Sequence, residues 1–194
     1  MENNEKGKFM SIVKRYGYYA LAFVLILGIT LSVVFTSTKK SNTKTDIPTD
    51  TQPIVFGLPI SSPSVLKWYS DTELMYNETL KQWESHKGID LISTNPDNLD
   101  VLAVLDGVVA SVETNYEYGT CITINHTDGF VSKYYSLADD ISVQATDKVS
   151  KGSKIGTISQ SGANESKVGN HLHFELYKDN QKVDPANYLS LENK

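Results

Sequence analysis

Cysteine and arginine are almost absent from this 194-residue chain, which contains one of each, Cys121 and Arg15. A single cysteine excludes a disulfide within the chain, so no covalent cross-link stabilises the fold. Cys121 lies in the apolar stretch Thr-Cys-Ile-Thr-Ile, where a free cysteine usually packs as a small buried hydrophobe. Pairing with a cysteine of another molecule is the alternative.

Positive charge is scarce in most of the chain. Residues 41–194 contain twelve lysines, no arginine and twenty-one acidic residues, a net charge of −9. Residues 1–40 contain six basic and two acidic residues, a net charge of +4, and the two parts sum to −5. An acidic segment without a basic patch excludes nucleic acid as a partner. The acidity by itself indicates no more than solubility.

One long apolar run lies near the N-terminus, where Tyr18–Phe35 contains eighteen residues and no charge. This length is near the lower limit for a helix that spans a bilayer. A buried core helix and a cleaved signal peptide are the alternatives, but no small-residue cleavage site follows Phe35. We therefore expect an uncleaved transmembrane anchor over 18–35 in the cytoplasmic membrane, with a flexible linker over 36–53. Four basic residues before the run against three after it are too even to determine orientation.

The segment after the linker contains a helix signal. Prolines at three positions predict irregular or edge-like structure over 54–64. Ser70 followed by Glu73 forms a capping-box pattern, which predicts a helix over 71–84. Three large side chains lie at helical spacing in this segment, Tyr76, Leu80 and Trp83. We interpret them as core residues; the alternative is that they form the wall of a groove.

From about residue 88 onward, short apolar runs alternate with turn signals. Asp128-Gly129 between two such runs is a strong hairpin signal, and Asp179-Asn180 marks a second turn. The predicted strands lie in Val101–Val112, Cys121–Asn125, Phe130–Tyr135, Lys148–Ser159, Leu172–Tyr177 and Lys182–Val183. Several short strands with regular turns predict a mainly β fold, an antiparallel sheet or sandwich.

Two short histidine motifs have the spacing of a metal site. His171 and His173, at an offset of two, point the same way along a strand, and His86 and Asp90 also converge if their stretch is extended. Zinc readily binds imidazole nitrogen and carboxylate oxygen. A lone histidine is more often packed than a ligand, but three of the four histidines fall in these motifs. The sequence therefore predicts a zinc site.

In these motifs the chain resembles peptidase family M23, the LytM-type zinc metallopeptidases that cut peptide cross-links in bacterial cell walls. The resemblance covers roughly residues 86–190 and extends to Gly-Asn-His-Leu-His-Phe-Glu at 169–175 and Val-Asp-Pro-Ala-Asn-Tyr-Leu at 183–189. It implies an antiparallel β-sheet or sandwich of LytM type, similar to a duplicated hybrid motif. A cell-wall domain after a short N-terminus also implies a cytoplasmic segment 1–17 and an extracytoplasmic domain.

The resemblance assigns roles to four residues and leaves one position in question. The implied zinc ligands are His86, Asp90 and His173, with His171 as a catalytic residue beside the metal. Ser136 stands where the family carries a second catalytic histidine. A serine hydroxyl cannot carry the charge of an imidazolium, and loss of one oxyanion-stabilising donor costs roughly 10²–10³ in rate. We therefore expect a site that binds zinc but cleaves poorly.

Several residues are candidates to replace the missing histidine, namely His126, Asp90, Lys148 and Tyr134. His126 lies ten residues earlier, on the preceding predicted strand, where its alternative role is a polar residue at a strand end. The loop 161–169, which precedes the His171 motif, borders a binding groove or is a plain surface loop.

A second, closer resemblance is to a sporulation branch of this family, whose members are single-pass membrane proteins with a degenerate LytM-type ectodomain. The stretch 68–83, the anchor and Ser136 carry it. It implies a forespore-membrane protein that docks a partner like stage III sporulation protein AH, anchored in the mother-cell membrane, within a channel-like engulfment complex. An active zinc endopeptidase that cleaves peptidoglycan and a regulator of a cell-wall hydrolase are the alternatives.

Overall fold

The structure is a computed structural model that describes residues 54–191 together with Arg15, Tyr16 and Tyr19. The chain divides into two units, residues 1–51 and 52–194, and the three isolated N-terminal residues are helical. The predicted anchor and linker lie outside the described residues, except for Tyr19. No helix formed by the described residues is long and apolar enough to cross a membrane.

Residues 54–191 form strands joined by short loops and three single-turn 3-10 helices. The strands are β1 (Pro63–Lys67), β2 (Ser70–Asn77), β3 (Gln82–His86), β4 (Ile89–Ser93), β5 (Asp100–Leu102), β6 (Gly107–Asn115), β7 (Gly119–His126), β8 (Phe130–Leu137), β9 (Lys148–Val149), β10 (Lys154–Thr157), β11 (Leu172–Lys178) and β12 (Gln181–Val183). The 3-10 helices are Thr127–Gly129, Ala163–Glu165 and Pro185–Asn187. The predicted mainly β, antiparallel fold is confirmed.

The main sheet contains eight strands, in the order β1-β4-β11-β8-β7-β6-β9, with β12 also paired to β11. All of its pairings are antiparallel. Strand β11 lies between β4 and β8, so that His173 pairs with Asp90 on one side and with Tyr135 on the other. The centre of the sheet therefore brings the two predicted metal motifs together.

Alternation along the central strands separates a core face from a site face. On β11, Leu172, Phe174 and Leu176 are fully buried in the hydrophobic core. Their neighbours His173 and Glu175 point to the opposite face. The two-stranded β5–β10 sheet covers the core face and contributes residues such as Val101 and Ile155 to the buried cluster. The site face is thus supported from below by a continuous apolar core.

The predicted helix over 71–84 is wrong, because β2 and β3 form a hairpin there. The Ser70 hydroxyl does accept the backbone N–H of Glu73 at 2.8 Å, but within an irregular stretch of the hairpin register. Asn77 Oδ1 accepts the N–H groups of Thr79 and Leu80, at 2.9 and 3.0 Å, and closes the turn. Short polar side chains bind backbone in turns as readily as at helix ends. Here they bind backbone within a hairpin and not at the end of a helix.

The large side chains of this hairpin are also not core residues. Tyr76 and Trp83 are cross-strand partners, with ring centroids 5.4 Å apart. They are 41% and 66% exposed, and Leu80 in the turn is 40% exposed. Aromatic pairs across an antiparallel ladder stabilise a hairpin without burial in a core. The helical spacing of these residues was therefore coincidental.

Other local predictions are confirmed. The hairpin β7–β8 turns at residues 127–129, and β11–β12 turns at Asp179-Asn180, where both residues have positive φ angles of 50° and 65°. The predicted strand 101–112 is divided into β5 and β6. Cys121 is buried, and burial raises the pKa of its thiol to about 12, so the thiol is inert at neutral pH.

Candidate metal centre

Three strands position the two motifs against each other. His86 ends β3, Asp90 lies on β4, and His173 lies on β11 directly opposite Asp90. Gly88, between the first two, passes so close to β11 that an added Cβ would lie 2.6 Å from the Phe174 carbonyl oxygen and 2.8 Å from His173 Nε2. The glycine is therefore required because no side chain fits between the strand and the histidine ring.

The predicted ligand atoms converge within hydrogen-bonding distance. Asp90 Oδ1 lies 2.7 Å from His173 Nδ1 and 3.0 Å from His86 Nε2, and the two ring nitrogens are 3.2 Å apart. His86 Nδ1 donates to the carbonyl oxygen of Trp68 at 2.8 Å, because a carbonyl can only accept. With Nδ1 held by this carbonyl, Nε2 is the ring nitrogen that faces the cluster, as in metal-bound histidines.

A fourth residue completes the cluster. Glu165, in the loop before β11, lies with His86, Asp90 and His173 so that one ligand atom of each is within 4.8 Å of the others. Its Oε2 is 3.8 Å from His173 Nδ1, and its Oε1 is 3.3 Å from Lys67 Nζ. No motif spacing identifies Glu165. Its one sequence signal is that it is the only acidic residue in the loop 161–169.

The charges of the cluster are strongly coupled. Burial alone would raise the pKa of Asp90, but hydrogen bonds and charge interactions with His173 and His86 hold it well below its usual range. Burial alone would lower the pKa of His173, but hydrogen bonds to Asp90 and Glu175, with the charges of Asp90 and Glu165, raise it to about 9. A positive charge is therefore favoured at the centre of this cluster.

The donor set fits a divalent metal ion. Asp90 is fully buried, and its Oδ2 has no hydrogen-bond partner within the described part of the chain, although Lys67 Nζ lies 3.2 Å away. The Lys67 ammonium compensates the charge of this buried oxygen, so the fit to a metal rests on the other side of the carboxylate, where Oδ1 meets the two histidines. Two imidazole nitrogens and carboxylate oxygens at this spacing are a zinc-type set.

His171 lies beside this cluster and not within it. It is 1% exposed, its Nδ1 donates to the Gly169 carbonyl oxygen at 2.8 Å, and its Nε2 lies 3.3 Å from Glu165 Oε2. Burial alone would lower the pKa of His171, but the bonds to Glu165 and Gly169 raise it. Both ring nitrogens of His171 thus face oxygen acceptors.

Ser136 lines the same cavity as His86, Glu165 and His173. The volume of this cavity is about 220 Å³. The serine is 4% exposed and has a positive φ of 61° at the end of β8. Its hydroxyl donates to the Ser159 carbonyl oxygen at 3.1 Å. The hydroxyl is thus engaged with backbone, and it supplies no charge to the cavity.

The proposed replacements for the missing histidine lie elsewhere or have other partners. His126 bonds the Asp106 carbonyl oxygen and the Ser132 hydroxyl, at 2.9 and 2.7 Å. Tyr134 is fully buried and accepts the Val104 N–H. Lys148 lines an open pocket with His126. Of the four candidates, only Asp90 belongs to the cluster, and it is occupied by the two histidines.

The chain is similar to known proteins over this site. Residues 84–185 match the model of Peptidase family M23. Stage II sporulation protein Q of Bacillus subtilis (strain 168) is 35% identical over 114 residues, which are 59% of this chain and 38% of that protein. The murein hydrolase activator NlpD of Escherichia coli (strain K12) is 31% identical over 131 residues, 66% of this chain and 33% of that protein. The chain thus spans less than two fifths of these curated relatives.

The chain is also similar to solved structures. The SpoIIQ–SpoIIIAH pore forming complex contains a chain that is similar to this one with a TM-score of 0.58 and 29% sequence identity, over 70% of this chain and 90% of that chain.

Proposed function

The chain belongs to peptidase family M23, and we propose that it is a sporulation membrane protein whose zinc-binding domain docks a partner and does not cleave peptidoglycan efficiently. The observation that carries this proposal is Ser136, which lies in the cavity of an otherwise complete metal cluster. A family site that keeps its ligands but has lost one of its two catalytic histidines favours a structural role for the metal.

The zinc ligands in this proposal are His86, Asp90 and His173. When bound, zinc links β3, β4 and β11 and adds its binding free energy to the stability of the domain. The backbone carbonyl of Trp68 orients the His86 ring, and Glu175 Oε1, 3.6 Å from His173 Nε2, faces the other histidine. Such partners of metal-bound histidines fix ring orientation and raise metal affinity.

Weak catalysis follows from the side chains that remain. Hydrolysis of an amide needs groups that move protons and stabilise the oxyanion beside the metal. Ser136 donates to a backbone carbonyl, and His171 is held between the Gly169 carbonyl and the Glu165 carboxylate. Because the Ser136 hydroxyl and both ring nitrogens of His171 are engaged with these partners, neither residue presents a free base to the cavity.

The partner in this proposal is a membrane protein like stage III sporulation protein AH, because the SpoIIQ of the similar structure is in complex with SpoIIIAH. The predicted anchor over 18–35 places the domain outside the forespore membrane, with residues 1–17 in the cytoplasm. Docking across the intermembrane space would join two membranes into a channel-like complex.

Binding and hydrolysis measurements test this proposal together. The full chain, purified in detergent and loaded with zinc, is titrated with the extracytoplasmic domain of an AH-like protein and separately incubated with purified peptidoglycan. We expect saturable binding and no release of cross-link peptides. Peptide release by the unmodified chain would identify an active endopeptidase and overturn the proposal. Likeness to NlpD supports a third candidate, a regulator of a cell-wall hydrolase, which would increase the activity of an added amidase.

A further inference from the structure

Glu165 is the one member of the metal cluster that neither histidine motif contains. Its Oε2 lies 3.8 Å from His173 Nδ1, and Glu165 lines the same cavity as His86 and His173. Its side chain is 20% exposed, so it lies at the boundary between the cluster and the cavity. The carboxylate thus lies on the side from which a molecule in the cavity would reach the cluster.

The spacing of the four atoms is near that of a closed zinc site. In a tetrahedral site with bonds of 2.0–2.1 Å, ligand atoms are about 3.3 Å apart. The three motif atoms are 2.7–3.2 Å apart, slightly closer than this. Glu165 Oε2 is farther away, at 3.8 Å from His173 Nδ1, and the whole set lies within 4.8 Å. An ion would need to spread the triangle and draw in the fourth atom by less than about 1.5 Å, within the reach of a glutamate side chain.

The structure holds Glu165 in this place from several sides. Lys67 Nζ, 3.3 Å from Oε1, also lies 3.2 Å from Asp90 Oδ2 and so joins the two carboxylates. His171 Nε2 lies 3.3 Å from Oε2. The loop itself is bound to the β2–β3 hairpin, since Asn77 Nδ2 donates to the Asn164 carbonyl at 3.2 Å. The carboxylate is therefore preorganised.

We propose that Glu165 is the fourth zinc ligand of this chain and that it closes the coordination position that a peptidase leaves open for water and substrate. The inference rests on the proposed function for the presence of zinc, and it adds a reason for the lack of cleavage that is independent of Ser136. Catalytic zinc sites keep an open position, whereas structural sites have four protein ligands. With two carboxylates and two neutral imidazoles, the charge of Zn²⁺ is balanced.

In this arrangement His171 and Lys67 are positioning residues. Each binds a Glu165 oxygen and neither is placed to bind the metal. The contrasting arrangement is an open three-ligand site in which Glu165 would be a general base near the metal and not a ligand. The two differ in whether an added ligand can reach the metal, which can be measured without any assay of activity.

The test compares the full chain with Glu165→Ala and Glu165→Gln, each loaded with Zn²⁺ or Co²⁺. Zinc affinity is measured by chelator competition, and access to the metal by the change in the Co²⁺ visible spectrum on addition of acetohydroxamate. We expect the Glu165→Ala affinity to fall by at least about 10-fold, as losses around metal sites typically do. We expect acetohydroxamate to alter the Co²⁺ spectrum of that variant and to leave the unmodified chain unchanged.

Controls separate this inference from the presence of zinc. Glu78→Ala removes the same side chain from the exposed hairpin turn and should match the unmodified chain in both readouts. Glu165→Gln keeps the side-chain volume, so it reports on the charge if the alanine variant misfolds. An acetohydroxamate response of the unmodified chain, or an unchanged affinity of both Glu165 variants, would overturn the fourth ligand and leave zinc binding intact. Failure of the unmodified chain to bind either metal would overturn both proposals.

Discussion

Asp90 Oδ1 and His173 Nδ1 lie 2.7 Å apart although 83 residues separate them in the sequence. The contact exists because β4 and β11 are neighbours and the two residues are directly opposite in the register. His86 joins the pair from the end of β3. A residue change at any of these positions therefore acts on three strands at once.

Substitution of His86 tests the ligand assignment most directly. His86→Ala removes one of three ligands and leaves Asp90 Oδ1 with a single imidazole partner, so we expect zinc content near background and a lower melting temperature. The measurements are metal analysis of the purified chain and thermal denaturation with and without added zinc. His126→Ala, a histidine bonded outside the cluster, should retain its zinc. Full zinc occupancy in the His86 variant would refute the assignment.

Gly88 offers a test of how the cluster is built. An alanine Cβ there would meet the Phe174 carbonyl oxygen at 2.6 Å and the His173 ring at 2.8 Å. Overpacking of this kind typically costs about 1–3 kcal/mol, so Gly88→Ala should lower both the free energy of unfolding and the zinc affinity. Chemical denaturation and chelator competition measure the two.

Gly57→Ala is the matched control for that substitution. Its Cβ would first meet the flexible Lys151 side chain, at 3.2 Å, which can move aside. We expect the Gly57 variant to keep its stability and its zinc affinity. Equal behaviour of the two glycine variants would show that the close approach at Gly88 does not constrain the site.

The metal-free chain should lose stability as the pH rises from about 6.5 to about 9. Burial alone would lower the pKa of His173, but its carboxylate neighbours raise it to about 9, from 6.5 when unfolded. A raised folded pKa contributes stability that is complete below 6.5 and is lost as the pH rises through 9. The groups around the His173 ring are Asp90, Glu165, Glu175, His86 and Tyr135.

Denaturation of the metal-free chain across this pH range measures the effect. His171, whose pKa is also raised, adds to the same slope, so His173→Gln should reduce the slope without removing it. Zinc replaces the proton on His173, so zinc affinity should rise over the same range. A stability that is constant from pH 6.5 to 9 in the metal-free chain would contradict the charge distribution described for the cluster.

Sequence patterns predicted what depends on local periodicity, on motif spacing or on resemblance to a family. The strands of the β7–β8 and β11–β12 hairpins, the convergence of His86, Asp90 and His173 in space, and the likeness to family M23 and its sporulation branch are confirmed. The assignment of these residues as zinc ligands stays a prediction.

One wrong prediction and one overlooked residue have physical explanations. The helix over 71–84 failed because Ser70 and Asn77 bind backbone in a bulge and a turn as they would at a helix end. Glu165 was missed because a loop residue acquires its position from tertiary contacts, with Lys67 and with the β2–β3 hairpin, that leave no spacing in the sequence. A pattern of period two or 3.6 cannot report such a residue.

The last prediction concerns recovery of hydrolysis. If Ser136 removes a catalytic group and Glu165 blocks the metal, neither change alone restores cleavage. Histidine tolerates a positive φ better than most residues, so it can replace Ser136 at its φ of 61°. We expect peptide release from purified peptidoglycan by the zinc-loaded double variant Ser136→His with Glu165→Ala, exceeding that of either single variant by roughly 10²-fold, the typical worth of one catalytic donor.

The control for the added imidazole is Ser190→His in the Glu165→Ala background, since Ser190 is exposed near the end of the described region. It should release no more peptide than Glu165→Ala alone. Activity of Ser136→His alone that equals that of the double variant would show that Glu165 does not obstruct the metal. Cleavage requires both a proton carrier and an open coordination position, and each substitution supplies only one of them. The effects of the two substitutions on rate should therefore be far from additive.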